Sequence, residues 1–253
     1  VSERDEGPGI LTGRVAVVFG ATGWLGTAIC RELAGAGASV VMVGRNADRL
    51  DELQRELGCD GRILTTIADV TSPLEVDDAR AAAIARFGHV DLLVVSSGVI
   101  TGSDFEDGVP ADWAEMIDVN LRGLLHASQS FAEPLLHSAE NGASSDLVLI
   151  GAVGTDVHTP RFAVFNAVSA AIKQLARTLR LQYGPRGMRV HIIEPSFAGD
   201  TGDTGSGQDG RTQDRRAASP VKPEAIAAVV ALAAALPRSA NLAEVLLLPT
   251  EQA

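Results

Sequence analysis

Seven residues near the amino end have the composition of an anion cradle: Gly20-Ala21-Thr22-Gly23-Trp24-Leu25-Gly26. They stand between an apolar run, Val15-Ala16-Val17-Val18-Phe19, and a stretch of helical spacing over 25–36 that ends at Gly37. Glycines there permit a tight turn. They also let a diphosphate approach backbone N–H groups at the positive end of a helix. Three glycines alone say little, and the alternative is a plain helix-start turn. The strand-turn-helix setting is what gives the motif its meaning. Gly20, Thr22, Gly23, Trp24, Leu25 and Gly26 are therefore expected to surround the diphosphate of a dinucleotide.

A second cluster follows the next apolar run, Ser39-Val40-Val41-Met42-Val43. It reads Gly44-Arg45-Asn46. A free ribose 2′-hydroxyl is usually met at this point by a carboxylate, and none is present. Arg45, with Asn46 beside it, can pair a 2′-phosphate in bidentate fashion. That favours NADP(H) over NAD(H); the alternative is a surface arginine with no ligand. Asp69-Val70, after a third strand, is placed to meet the adenine edge.

These residues need a scaffold, and the chain spells one out. Further strands are expected at Ile63–Ala68, Leu92–Val95, Leu147–Ile150, Val190–Ile193 and Val245–Leu248. Leu50, Leu53 and Leu57 fall on one face of a helix over Ala47–Leu57. Other helices are expected at about 73–87, 112–137, 161–183 and 222–236. Continuous apolar strands alternating with helices predict an α/β fold, a parallel sheet covered on both faces. Right-handed crossovers make it a doubly wound sheet.

Composition narrows the partners. The 253 residues suit one domain, with 1–12 a flexible lead-in and 13–253 the fold. A net charge of -11 argues against nucleic acid and anionic membrane as partners. No apolar run reaches the length of a membrane span and no signal peptide opens the chain. Cys30 and Cys59 have no metal-ligand spacing, so no metal is expected. They read as two thiols in a reducing cytoplasm. Residues 200–219 are rich in Gly, Asp and Ser and cannot pack a core. They follow the carboxyl end of a strand, so they read as a mobile lid over a ligand or as a solvated loop.

The pattern resembles the short-chain dehydrogenase/reductase family over nearly the whole chain. The resemblance rests on the Gly20–Gly26 turn, Asp69-Val70, Asp91-Leu92-Leu93-Val94, Asp118-Val119-Asn120-Leu121-Arg122-Gly123, Arg189-Val190-His191 and Glu194-Pro195-Ser196. It implies a Rossmann-type seven-stranded parallel sheet and a nicotinamide dinucleotide. It implies homodimers or homotetramers formed through the helices over 112–137 and 161–183. It adds Ser96, Ser97, Gly98 and Pro195 to the residues expected around the cofactor, with Val95-Ser96-Ser97-Gly98 in place of the family's Asn-Asn-Ala-Gly.

The departures matter more. The family's catalytic residues are Asn, Ser, Tyr and Lys. Asn120 matches the first. The serine position is Ala152, the tyrosine position Phe165 and the lysine position Ser169. The chain has one tyrosine, Tyr183, and two lysines, Lys173 and Lys222. Lys173 is eight residues beyond Phe165, about 12 Å along a helix. Tyr183 ends its helix and reads as a packing residue. His126 and His137 read as structural or interface residues. Loss of a positioned general acid costs about 10²–10⁴ in rate. Loss of an oxyanion donor costs about 10²–10³.

Reduction then requires another way to manage charge on oxygen. The substrate can carry an acidic hydroxyl or be quinone-like. A side chain such as His158, near Asp156, can serve, although a solvent-facing loop histidine is the alternative reading. A water chain held by Asn120 is the third route. Two readings stay open at this point. One is an atypical NADP(H)-dependent reductase of a conjugated, polycyclic or quinone-like carbonyl, lined by Ala152, Val153, Phe162 and Phe165. The other is a non-redox protein on the same scaffold: a cyclase or isomerase, or a silent subunit of a hetero-oligomer.

Overall fold

The computed structural model describes residues 9–58, 61–152, 160–196 and 221–250. Seven parallel strands form one sheet in the order β3-β2-β1-β4-β5-β6-β7. They are β1 (Val15–Phe19), β2 (Ser39–Gly44), β3 (Ile63–Ile67), β4 (Leu92–Val95), β5 (Asp146–Ile150), β6 (Arg189–Pro195) and β7 (Glu244–Leu247). The expected doubly wound sheet is present. The first crossing from β1 runs outward through β2 to β3, and the chain then returns to β4 on the other side of β1. The strand order reverses at β1, where ligands bind in such sheets.

Both faces are covered, which is why the central strands are apolar throughout rather than alternating. Alternate residues of β1 go to opposite cores. Val15, Val17 and Phe19 meet α3 (Pro73–Phe87), α5 (Leu124–Glu140) and α6 (Ala163–Tyr183). Ala16 and Val18 meet α1 (Trp24–Gly35), α2 (Ala47–Leu57) and α7 (Pro223–Ala235). Phe19 and Phe131 cross edge-to-face with ring centroids 5.9 Å apart.

Two expectations need correction. The lead-in does not extend to residue 12. Leu11 is fully buried and its N–H donates to the Ala36 carbonyl at 2.9 Å, so the segment from residue 9 packs on the end of α1. The single helix over 112–137 is three successive pieces: α4 (Pro110–Met116), a π-helical segment (Ile117–Gly123) and α5. A π segment widens the helix by one residue, and such segments are frequent at functional sites. Here it contains Asn120.

The amino-terminal edge of the sheet is tied by buried charge. Asp146 accepts two hydrogen bonds from Arg189, at 2.6 and 2.9 Å. Arg14 reaches Asp146 at 2.6 Å and Asp91 at 2.7 Å. His191, fully buried, lies 2.9 Å from Asp146 and 3.0 Å from the Leu242 carbonyl. Arg189 also donates to the Leu236 and Ala240 carbonyls, holding the connection between α7 and β7. Burial pushes the Asp146 carboxyl upward, but hydrogen bonds from His191 and Arg189 outweigh it and leave it below the usual range.

Candidate active site

The site is built at the carboxyl ends of β1, β2 and β4–β6. The turn after β1 closes on itself: Gly23 N–H donates to the Gly20 carbonyl at 2.9 Å. Gly20 has φ +78°, and a Cβ on it would lie 2.7 Å from the Ser97 nitrogen. A Cβ on Gly26 would collide with the Gly20 carbonyl. These two positions therefore require glycine.

Helix α1 then begins with no side chain capping it and no acidic residue in its first turn. The first N–H groups of a helix have no partner within it. This end is free to receive an anion. Trp24, at the first helical position, is 53 % exposed at the mouth of the turn. Thr22 faces the end of β2: a Cβ on Gly44 would sit 3.2 Å from its hydroxyl oxygen. Leu25 packs into the α1 side of the core.

Beyond β2, the Arg45 side chain is 66 % exposed, and its guanidinium lies 3.8 Å from the Asp69 carboxylate. Burial raises the Asp69 carboxyl, but hydrogen bonds from the Thr71 N–H and hydroxyl and the charge of Arg45 outweigh it and hold it below the ordinary range. Asn46 accepts from the Arg49 N–H at 3.0 Å and so caps α2. Val70 is buried against Gly123, where a Cβ would meet it at 2.7 Å.

On the β4 side, the Ser96 hydroxyl donates to the Phe19 carbonyl at 2.7 Å. Ser97 approaches Gly20, and Gly98 is exposed beside Asn120. The Asn120 amide makes a reciprocal pair with the Val99 backbone: Val99 N–H donates to it and it donates to the Val99 carbonyl, both at 2.8 Å. Its side chain therefore fixes the strand-end loop.

Two of the positions that correspond to the family's catalytic residues, Ala152 and Phe165, come together. Ala152 and Phe165 form an apolar cluster with Met116. Phe165 is 8 % exposed and Ser169, one turn further along α6, 2 %. Val99, Ile100, Trp113 and Phe162 pack around this cluster. Phe162 covers Gly102, where a Cβ would lie 2.6 Å from the ring. Arg161 just before it has φ +72° and accepts from the Ser103 N–H at 2.9 Å. His158, Asp156, Val153 and the lid at 200–219 lie outside the described residues.

The place of Lys173 is not legible in the sequence. Its ammonium meets the buried Glu194 carboxylate of β6 at 2.9 Å. Tyr183 packs against the α6 side of the core, as expected of a packing residue.

The fold, the glycine turn and the strand order agree with a match of residues 14–209 to the short chain dehydrogenase family model. The chain belongs to the short-chain dehydrogenase family. An uncharacterized oxidoreductase of Staphylococcus epidermidis is 35% identical over 184 residues, covering 73% of this chain and 77% of the relative. An uncharacterized oxidoreductase of Staphylococcus aureus is 30% identical over 240 residues, covering 95% and 99%. Among solved structures, this short-chain dehydrogenase superposes on the closed form of serine dehydrogenase complexed with NADP+. That match has a TM-score of 0.83 and 25% identity, covering 94% and 96%. It also superposes on 3-ketoacyl-(acyl-carrier-protein) reductase of Brucella melitensis complexed with NADH. There the TM-score is 0.81 at 21% identity, over 93% and 97% of the two chains. The structural neighbours thus include complexes of both nicotinamide dinucleotides. Among the described residues no helix is long and apolar enough to cross a membrane, and no cluster of His, Cys, Asp and Glu could hold a metal ion.

Proposed function

We propose that this short-chain dehydrogenase is an NADP(H)-dependent reductase of a conjugated, polycyclic or quinone-like carbonyl compound. The observation that carries the reading is the pairing of an open phosphate cradle with an apolar cluster where proton donors would stand. The residues present fit the diphosphate and the 2′-phosphate. Gly20 and Gly26 shape the turn, the uncapped start of α1 offers N–H groups, and Arg45 is exposed at the end of β2. When bound, the cofactor supplies the hydride.

The chain's own residues bind, orient and exclude water. Asn120 fixes the Val99 loop, and Phe162 and the edge of Phe165, backed by the buried Met116, offer an apolar wall to a flat acceptor. Phe165 and Ala152 hold no transferable proton and no oxyanion donor. An acceptor whose reduced oxygen is already stable needs neither. Positioning alone is worth a large share of the barrier.

The second reading, a non-redox or silent protein on this scaffold, is favoured by the burial of Phe165 and Ser169, which leaves little polar surface there. The open Arg45 favours the first. A homo-oligomer through the helices over 112–137 and 161–183 accords with an apolar groove of about 360 Å³ lined by Phe105, Ile117, Leu121, Val164 and Val168.

The test is calorimetric titration with NADPH and NADH, followed by NADPH oxidation with a quinone series. Selective NADPH binding with quinone turnover is expected. Binding without turnover of any quinone would favour the non-redox reading, and no binding would remove the cofactor from the account.

A further inference from the structure

Arg161 stands two residues before α6 in the left-handed region, at φ +72°, the only residue other than glycine to do so among the described residues. Such a backbone is strained, and strain of this kind gathers at active sites and ligand clamps. Two contacts hold it in place. The Arg161 carbonyl accepts from the Ser103 N–H at 2.9 Å, and the ring of Phe162 lies over Gly102. The loop after β4 supplies both contacts, and it is itself tied to the apolar cluster. Val99 and Ile100 pack on Ala152 and Phe165. Phe105 stacks on Trp113 with ring centroids 5.4 Å apart, and Trp113 packs on the same cluster. Arg161 is therefore fixed at the rim of the wall offered to the acceptor.

Its guanidinium is not spent on the protein. The side chain is 50 % exposed and stands 3.6 Å from the carboxylate of Asp104, itself 61 % exposed. That separation is longer than a hydrogen bond. Arg31, Arg122 and Arg186 meet their carboxylates at 2.6 Å and Arg177 at 2.7 Å. Arg45, on the β2 side of the site, is held off from its carboxylate in the same way as Arg161, at 3.8 Å. A guanidinium presents a planar fork of N–H donors that matches a carboxylate in bidentate fashion.

We propose that Arg161 selects the acceptor: the conjugated or quinone-like carbonyl compound carries a carboxylate, which the guanidinium pairs at the rim of the apolar wall. Asp104 is the competing anion that the carboxylate of the acceptor displaces. The assignment rests on the reading of this site as the reductase site for such a compound.

The experiment uses anthraquinone-2-carboxylate and its methyl ester, which share the ring system and differ in charge. Each is titrated by calorimetry into the protein saturated with NADP⁺, and each is tested for oxidation of NADPH. The unaltered protein should bind the acid about tenfold more tightly than the ester, and the ratio should fall to about one in Arg161→Gln. Arg161→Lys should keep part of the preference, and Asp104→Asn should raise it, because the competing charge is gone. Equal affinity for acid and ester in the unaltered protein, or a preference that persists in Arg161→Gln, overturns the proposal whether or not either quinone is reduced. A preference that depends on Arg161, with no oxidation of NADPH by either quinone, would uphold the carboxylate contact and remove the reductase reading. Failure of both quinones to bind would overturn the two together.

Discussion

The Lys173 ammonium and the Glu194 carboxylate meet at 2.9 Å, with the carboxylate almost fully buried, one helical turn beyond Ser169. A lysine stands close in sequence to the position where the family carries its catalytic lysine, yet it is held by β6. The pair also continues along α6, where Arg177 grips Glu244 of β7 at 2.7 and 2.9 Å. The helix bearing Phe165 and Ser169 is thus clamped to the strands beneath it.

Removing one partner of this pair should be costly. Lys173→Met leaves the Glu194 charge buried without its ammonium, and a loss of about 3–5 kcal/mol is expected. The double variant Lys173→Met, Glu194→Leu should recover much of that loss, because no charge is then left buried. Urea unfolding of the three proteins checks this. Equal destabilisation of single and double variants would contradict it.

Arg45 should decide between the two nicotinamide dinucleotides. It is largely exposed, so its contribution is that of a screened charge-assisted contact. Arg45→Ala is expected to weaken NADPH binding by about tenfold and leave NADH binding nearly as it was. Calorimetry with both ligands reads the difference.

Restoring the three family residues should restore ordinary ketone chemistry. Ala152→Ser, Phe165→Tyr and Ser169→Lys together are expected to raise the reduction of an unactivated ketone by about 10²–10⁴. Phe165→Tyr alone should do little, because such groups act as a unit. It also places a hydroxyl beside Met116 and Ala152, which offer it no partner in the apolar cluster. Steady-state kinetics of the single and triple variants tests this.

The buried charges at the amino-terminal edge predict a pH response. The Asp146 carboxyl is held below its unfolded value, so its contribution is present above the ordinary carboxylate range. It is lost as the pH falls below about 4, through the still lower folded value. Asp146→Asn should flatten that part of the acid unfolding curve. It should also destabilise the protein at neutral pH by about 3–5 kcal/mol, since Arg14, Arg189 and His191 lose their common anion.

Much of this architecture was legible because strand and helix periods are local. The β1 run, the glycine turn and the Leu50–Leu53 face of α2 all carry their own signals, and all seven strands were legible in the same way. Leu11 was not legible, since two adjacent apolar residues, Ile10 and Leu11, in a polar stretch give no period; only its contact with the end of α1 reveals its place. The π segment was likewise hidden, because a one-residue widening leaves the helical pattern intact while Asn120 turns to Val99. The Lys173–Glu194 and Asp146–Arg189 pairs join residues far apart in sequence, so no spacing announces them. The close backbone approaches at Gly20 and Gly26 could be read from residue type and context. The capping role of Asn46 and the burial of Ser169 depend on three-dimensional packing.

The most direct measurement is rapid mixing of the protein and NADPH with a quinone and, separately, with a simple aliphatic ketone. The account predicts that the quinone oxidises NADPH at least about 10²-fold faster than the ketone, because only the quinone stabilises its own oxyanion. Comparable rates with both acceptors, or no oxidation by any quinone, would contradict it.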